Sequence, residues 1–484
     1  MEHLPAGKNC IRKTEYLSME NEEKNVNTRP SRRSKSDVDM TQGSIFRLLL
    51  AFALPLLIGN LFQQLYNTVD TWVLGNYATK EAFAAIGCIT PIFNLVVNTF
   101  VGLSNGAGVV ISNYYGAGKM DQVKRTVHTS MVMAVMCSAF FTAFGLIFKN
   151  VLIGWLHPSA EMLPHAQVYL GIIFQFLTFQ VFYNMASSIL RAVGDSRRPF
   201  YFLVIACVIN IILDLVFVIR FDMGAAGVAY ATVIAQCVSA VLSMITLFKT
   251  DSCVKVSIKD LCFDLGIFKH ILQIGIPGAI QMALISFSNI FVVSYINYFG
   301  TDFSSGYTAY FKSELILFLP LSSMGLAVTT FVGQNFGAGK LERAKQGVRT
   351  AVRMCLVPVI VLGGLMMIFA PQIIAFFNND PAVMAYGALF IRVVTPFYLF
   401  QCFNQTYTAA LRGVRDTFVP MLIMIGCYVG IRQLYLFIMT RYVANVPVVV
   451  MACFPVGWTL ATILGVIRYH STDFEARFAN LQGK

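Results

Sequence analysis

The chain has 484 residues, 57% of them hydrophobic and 12% charged, with 36 Lys and Arg against 24 Asp and Glu. Soluble proteins carry about a quarter charged residues, so water cannot be the main solvent of this surface. The formal charge of +12 acquires meaning only from where the bases lie. The 11 cysteines include no CxxC pair and join no histidine at metal-ligand spacing, which argues against a disulfide framework or a metal centre.

Residues 1–40 are polar, mixed in charge and without the apolar core of a signal peptide, and read as a disordered cytoplasmic tail. From Ser44 onward, apolar stretches recur that are long enough for a bilayer, roughly 20 residues at about 1.5 Å each. Twelve spans are predicted: 44–75, 83–112, 125–148, 164–188, 199–220, 224–248, 270–299, 306–333, 349–370, 383–410, 417–439 and 446–468. The expected fold class is an all-α integral membrane protein of 12 transmembrane helices. A basic stretch, 249–269, separates a first lobe at 41–248 from a second at 270–468, and 469–484 forms a C-terminal tail.

Basic residues resist translocation, so their count orients the chain. With the N-terminus inside, 29 of the 36 Lys and Arg fall on the cytoplasmic side. Both termini are therefore expected in the cytoplasm, and the net charge needs no nucleic-acid partner.

An internal repeat divides the chain at a shift of 221 residues. Tyr115 to Lys119 (YGAGK) recurs as Phe336 to Lys340 (FGAGK), Leu190-Arg191 falls on Leu411-Arg412, Asp195 on Asp416 and Pro199 on Pro420. Six spans per half with the same sense make the copies two pseudo-symmetric bundles related by an axis along the membrane normal, an architecture that places a cavity between two rocking halves. The GAGK segments are not phosphate loops, because the glycine such a loop needs is Asn113 in one copy and Gln334 in the other, and no Ser or Thr follows the lysine. They read as tight turns in which glycine permits positive φ. Without a nucleotide site, movement through the cavity runs on an ion gradient or downhill.

Three acids lie inside spans, where a carboxylate costs about 2.5 to 3.5 kcal/mol on insertion scales: Asp70, Asp214 and Glu314. Asp70 ends a polar stripe of Asn60, Gln63, Tyr66 and Asn67 at helical spacings. Asn210 and Asp214 share one face of span 5, and span 6 brings Thr232. Two carboxylates in a low-dielectric site meet the physical requirement for proton coupling. Lys312 and Glu314 are candidates for a gating ion pair near the outer start of span 8. Asp70 maps onto Val292 and Asp214 onto Tyr435, so an ion site is expected in the first half. Gln180 repeats as Gln401 and Asn184 as Gln405, as cavity wall or as interhelical hydrogen bonds. Pro55 removes a backbone donor from span 1 and marks a bending point. No HExxH motif suggests an enzyme, and the one GxSxG string, Gly102 to Gly106, lies inside span 2 and is not a nucleophile elbow.

The duplicated loops, YYGAGK and NFGAGK after spans 2 and 8 and LRAVGDSRRP and LRGVRDTFVP after spans 4 and 10, resemble those of the multidrug and toxic compound extrusion family, MATE, over residues 44–468. Asp70, Asn210, Asp214 and Thr232 are similar to the DinF-type prokaryotic pattern. That resemblance implies a proton or sodium site at those four residues, with Gln63, Tyr66 and Asn184 lining the same first-half cavity, and a helix that bends at Pro55. By the polar stripe and the repeat, Asn67, Gln180, Gln401 and Gln405 are expected to line a cavity as well. It also implies an antiporter of the cell (plasma) inner membrane that exports small, amphipathic or cationic drug-like compounds among membrane lipids. No cofactor beyond H⁺ or Na⁺ as coupling ion, no bound metal and a monomeric state are expected. A flippase for lipid-linked saccharide is the alternative, and would favour a basic central cavity. Arg415 stands where the first copy has Gly194.

Overall fold

The structure, a computed structural model, describes residues 38–156 and 158–482, so residues 1–37 of the expected tail lie outside the described residues. Each apolar run forms a helix because, in hydrocarbon, only a helix satisfies its own backbone polar groups. In chain order these are α1 (Ile45–Tyr77), α2 (Lys80–Gly116), α3 (Met120–Gly154), α4, α5 (Arg197–Arg220), α6 (Gly224–Lys249), α7 (Leu265–Asn297), α8, α9 (Leu341–Ile368), α10 (Pro381–Gly413), α11 (Phe418–Val443) and α12 (Pro447–Ser471). Span α4 is a pair, Leu163–Gln175 and Leu177–Ala192, bent by 48°. Span α8 is Thr301–Ser313 followed by Leu315–Gly337, broken at Glu314. A short α13, Phe474–Gln482, follows. The twelve predicted spans and the twelve observed ones correspond throughout.

Helix ends carry local signals. Asp264 accepts from the amides of Gly266 and Ile267 at 2.8 and 3.1 Å to start α7, and Thr79 caps α2. Helices α2 and α8 stop at Gly118 and Gly339, both left-handed at φ 71° and 70°, which is what the GAGK repeat encodes.

The two halves exchange their first helices. Leu49, Phe52 and Leu56 of α1 sit in the core of the second half, whereas Val73 and Leu74, near its other end, sit in that of the first. Helix α7 does the converse, with Ile267, Ile271 and Ile274 in the first core and Val292 and Ile296 in the second. The main partners across the divide are α2 with α7, α2 with α8, and α8 with α1, the last being the repeat mate of the first. Helix α2 reaches α7 through Gly102 and Gly106, where a Cβ would lie 2.8 Å from the Ala279 nitrogen and 2.7 Å from the Ile271 oxygen.

At the end of the bundle bearing both GAGK turns, the halves are clasped by repeat-related residues. Asn113 Nδ2 donates to the carbonyls of Gly333 and Gly413, each at 3.0 Å, and its mate Gln334 Nε2 donates to Ala192 O at 2.9 Å. The positions that disqualify the phosphate-loop reading are thus the ones that join the halves. A Cβ on Gly116 would overlap the Gln334 carbonyl, and one on Gly337 the Asn113 carbonyl.

The tail boundary expected at residue 40 is corrected here. Met40 is fully buried, donates its amide to Gln334 Oε1 at 2.9 Å and accepts from Asn335 Nδ2 at 3.1 Å. Residues 38–43 form a strap, gripped also by Lys340 and Arg343. The strap explains Gly194, whose missing Cβ would meet the Val38 carbonyl. In the second copy no strap arrives among the described residues, and Arg415 fills the place, its Nε donating to Asn113 Oδ1 at 2.7 Å and its guanidinium lying over Tyr114. Arginine supplies to Asn113 the donor that Met40 supplies to Gln334. It does so at φ 62°, a conformation that costs an L-residue about 1 kcal/mol.

Asp416 binds Arg468 at 2.7 Å and Arg477 of α13 at 3.0 Å, with its own carboxylate buried. Asp416→Asn is expected to cost about 1–3 kcal/mol and to expose α13 to protease. Thermal melting and limited proteolysis in detergent would read both effects.

Candidate functional site

Asp70 reaches into the first half from α1 and meets Asp214 from α5, the two carboxyl groups lying within hydrogen-bonding range of one another. Such a contact is favourable only when they share a proton or a cation. Asp214 and Asn210 are 0% and 1% exposed, and Thr232 of α6 is buried beside them. Among the described residues, both carboxylate oxygens of Asp214, one of Asp70, both amide atoms of Asn210 and the hydroxyl of Thr232 have no hydrogen-bond partner, and neither does Gln236 Oε1. Buried polar atoms are ordinarily satisfied, so this concentration of orphaned oxygens points to an occupant. A pocket of about 10 Å³ adjoins them, walled by Tyr66, Asn210, Thr232 and Gln236, enough for about one water-sized particle. The oxygen-only donor set suits a proton or a hard monovalent cation. A π-helical segment, Leu215–Arg220, begins immediately after Asp214; such widened turns recur at functional positions.

A larger cavity, about 400 Å³, lies between the halves, a size suited to a drug-like molecule. Its wall comes from α2, the inner end of α4, and from α7, α8, α10, α11 and α12. Gln401 and Gln405 line it as expected. Tyr66 walls the small first-half pocket instead, and Gln63, Asn67, Gln180 and Asn184 stand on the wall of neither, which corrects the cavity expected from the sequence. Local bonding accounts for this. Asn184 Nδ2 turns back onto the Gln180 carbonyl at 2.8 Å, Asn67 Nδ2 onto Gln64 at 3.2 Å, and Gln63 pairs with Tyr66. Asn60 leaves the stripe altogether to donate to Ser323 Oγ of α8 at 3.1 Å.

The Lys312–Glu314 pair also does not form among the described residues. Residues two apart on a helix point apart, and Lys312 is exposed, whereas Glu314 faces the cavity at the break in α8. There its Oε2 accepts from Tyr398 OH at 3.0 Å, and Tyr310 approaches it as well.

The sequence reading passed over the cavity's opposite charge. Arg432 follows a π-helical segment of α11, Gly426–Ile431, is buried, and donates to Ser288 Oγ and Asn289 Oδ1, each at 2.8 Å. A base inside a span is as costly as an acid, so the signal was present. Gln281 and Asn289, eight residues apart on α7, were the polar face to notice beside it. Nearby, Asn404, Gln401 and Tyr428 close a three-way hydrogen-bonded cluster.

The MatE family model matches residues 55–216 and 277–438, one copy in each half. The chain is 26% identical over 431 residues to the probable multidrug resistance protein YoeA of Bacillus subtilis, covering 87% of this chain and 92% of that one. It is 29% identical over 381 residues to the probable multidrug resistance protein YpnP of the same organism, covering 78% and 84%. The fold is shared with an outward-facing conformation of a multidrug resistance MATE family transporter, at a TM-score of 0.86 and 21% identity over 94% of this chain and 100% of that one.

Proposed function

Because the chain belongs to the MatE family of multidrug and toxic compound extrusion transporters, we propose that it is an antiporter of the plasma membrane, exporting small organic amphipathic compounds in exchange for H⁺ or Na⁺. The observation that carries this reading is the orphaned carboxylate pair Asp70–Asp214, placed on a helix whose other end is packed into the opposite half. Protonation or cation binding at the pair relieves an uncompensated buried charge. Helix α1 transmits the change, since Pro55 sits among the residues held by the second core and Asp70 lies beyond them in the first half. Asn210 and Thr232 complete the ion site. The halves formed mainly by 41–248 and 270–468, each holding one end of the other's first helix, rock about the cavity, acting in a single chain.

The basic end, with both termini, is cytoplasmic by its Lys and Arg content. Its clasp of Asn113, Gln334, Gly116 and Gly337 then makes this the state closed to the cytoplasm. The test is efflux from everted vesicles or proteoliposomes under an imposed pH gradient and, separately, a Na⁺ gradient. Compound movement driven by neither gradient overturns the proposal. The alternative of a flippase for lipid-linked saccharide gains one observation, the arginines on the cavity wall; transbilayer movement of a labelled lipid would favour it.

A further inference from the structure

The charged residues on the wall of the central cavity are Arg191, Arg412, Arg432 and Glu314, three bases against one acid. The acid already has a partner, since the Tyr398 hydroxyl donates to its carboxylate at 3.0 Å. The bases lack a counter-charge: among the described residues no ion pair joins any of the three to a carboxylate, and the Nε atoms of Arg412 and Arg432 are buried without a hydrogen-bond partner. Arg191 and Arg412 are repeat mates at the basic end of the cavity, and Arg432 stands deeper, with the Phe454 ring 5.8 Å from its guanidinium. A buried guanidinium with a spare planar donor and no carboxylate is half of a charge-assisted pair. The remaining half must come from whatever enters.

We propose that this cavity takes amphipathic organic anions, a carboxylate or phosphate group docking on Arg432 after passing Arg191 and Arg412, and an aromatic body packing among Tyr307, Phe311, Phe454 and Trp458. This rests on the export reading above and narrows its substrate class away from the cations expected from the sequence. Cation–aromatic contact and the polar cluster around Gln401 fix the ligand's orientation, and Glu314, held by Tyr398, excludes a second anion.

The test compares two fluorescent probes of similar aromatic skeleton, carboxyfluorescein as the anion and rhodamine 6G as the cation, with a fluorescent-tailed phosphatidylglycerol as a lipid anion. Purified full-length protein is assayed by ligand-induced thermal shift and by counterflow in proteoliposomes. Carboxyfluorescein is expected to bind about ten-fold or more tightly than rhodamine 6G, and Arg432→Gln to bring that preference to about unity, with Arg432→Lys intermediate. The wild-type preference is itself decisive should Arg432→Gln fail to fold. Equal or reversed preference overturns the inference while counterflow of either dye leaves the export reading standing. Movement of neither dye nor lipid overturns both. Movement of the labelled lipid alone keeps the anion chemistry and assigns it to a headgroup.

Discussion

Asp214→Asn is expected to abolish gradient-driven accumulation while leaving the protein as stable as before or more so. The two outcomes have one cause. In the folded chain the Asp214 oxygens have no donor, and the neighbouring Asn210, Thr232 and Asp70 provide none that is aligned. An amide of the same shape removes an uncompensated buried charge, and replacing such groups is commonly neutral or stabilising by about 1 kcal/mol or more. Coupling, however, needs a group that changes charge. One coupled ion at a potential of about 100 mV supplies some 2.3 kcal/mol, enough for roughly 50-fold accumulation. In Asp214→Asn that ratio falls to about unity. Asp70→Asn is expected to behave alike, because the two carboxyl groups lie within hydrogen-bonding range of one another. Thermal melting and vesicle efflux measured on the same preparations distinguish this from simple misfolding. Unchanged pH- and Na⁺-driven transport in both variants would sink the coupling assignment.

The second large effect is expected at Gly116 and Gly337. Each packs against a backbone carbonyl of the other half, Gln334 and Asn113 respectively, so the obstacle to a side chain is main chain that cannot rotate away. Neither glycine has positive φ, and the penalty is purely steric. Overpacking of this kind costs about 1–3 kcal/mol, which shifts a two-state equilibrium about 5- to 150-fold. Since the contact exists only while the basic end is closed, Gly116→Ala or Gly337→Ala should favour the state open at that end and stop export without unfolding either half. The measurement is labelling by a membrane-impermeant thiol reagent of a cysteine placed at Thr330, on the cavity wall, in a background cleared of native cysteines. Labelling from the basic side should accelerate about ten-fold. An unchanged rate would show that the glycines do not gate.

Hydrophobic length and the 221-residue repeat were enough to read the twelve helices, and intramembrane cost was enough to single out Asp70, Asp214 and Glu314, with Asn210 following from its spacing to Asp214, since those signals are local or depend on one span at a time. The cavity was less legible because its wall is set by which helices neighbour one another. Gln180 and Asn184 looked equivalent to Gln401 and Gln405 under the repeat, yet only the second pair faces the cavity. The repeat conserves register and says nothing about asymmetry between halves. Glu314 illustrates the same point. Its partner in sequence was Lys312, but its partners in space are Tyr310, one turn back, and Tyr398, 84 residues on. The strap at 38–43 was invisible because a short polar segment without periodicity gains its order from Gln334 and Asn335, some 294 residues away.

The exchange of first helices also governs how the molecule can be made. As the chain emerges, Leu49, Phe52 and Leu56 have no cavity to fill until α8 and α9 exist, so the leading end of α1 waits in the lipid through the synthesis of more than half the protein. A ribosome stopped at residue 248 would release a product whose first helix keeps α5 but lacks the second-half core for Leu49, Phe52 and Leu56, and whose α2 lacks α7 to pack upon. The lobes therefore mature together, and a gene split at the linker would have to reassemble by trading helices between two polypeptides rather than by docking two finished bodies.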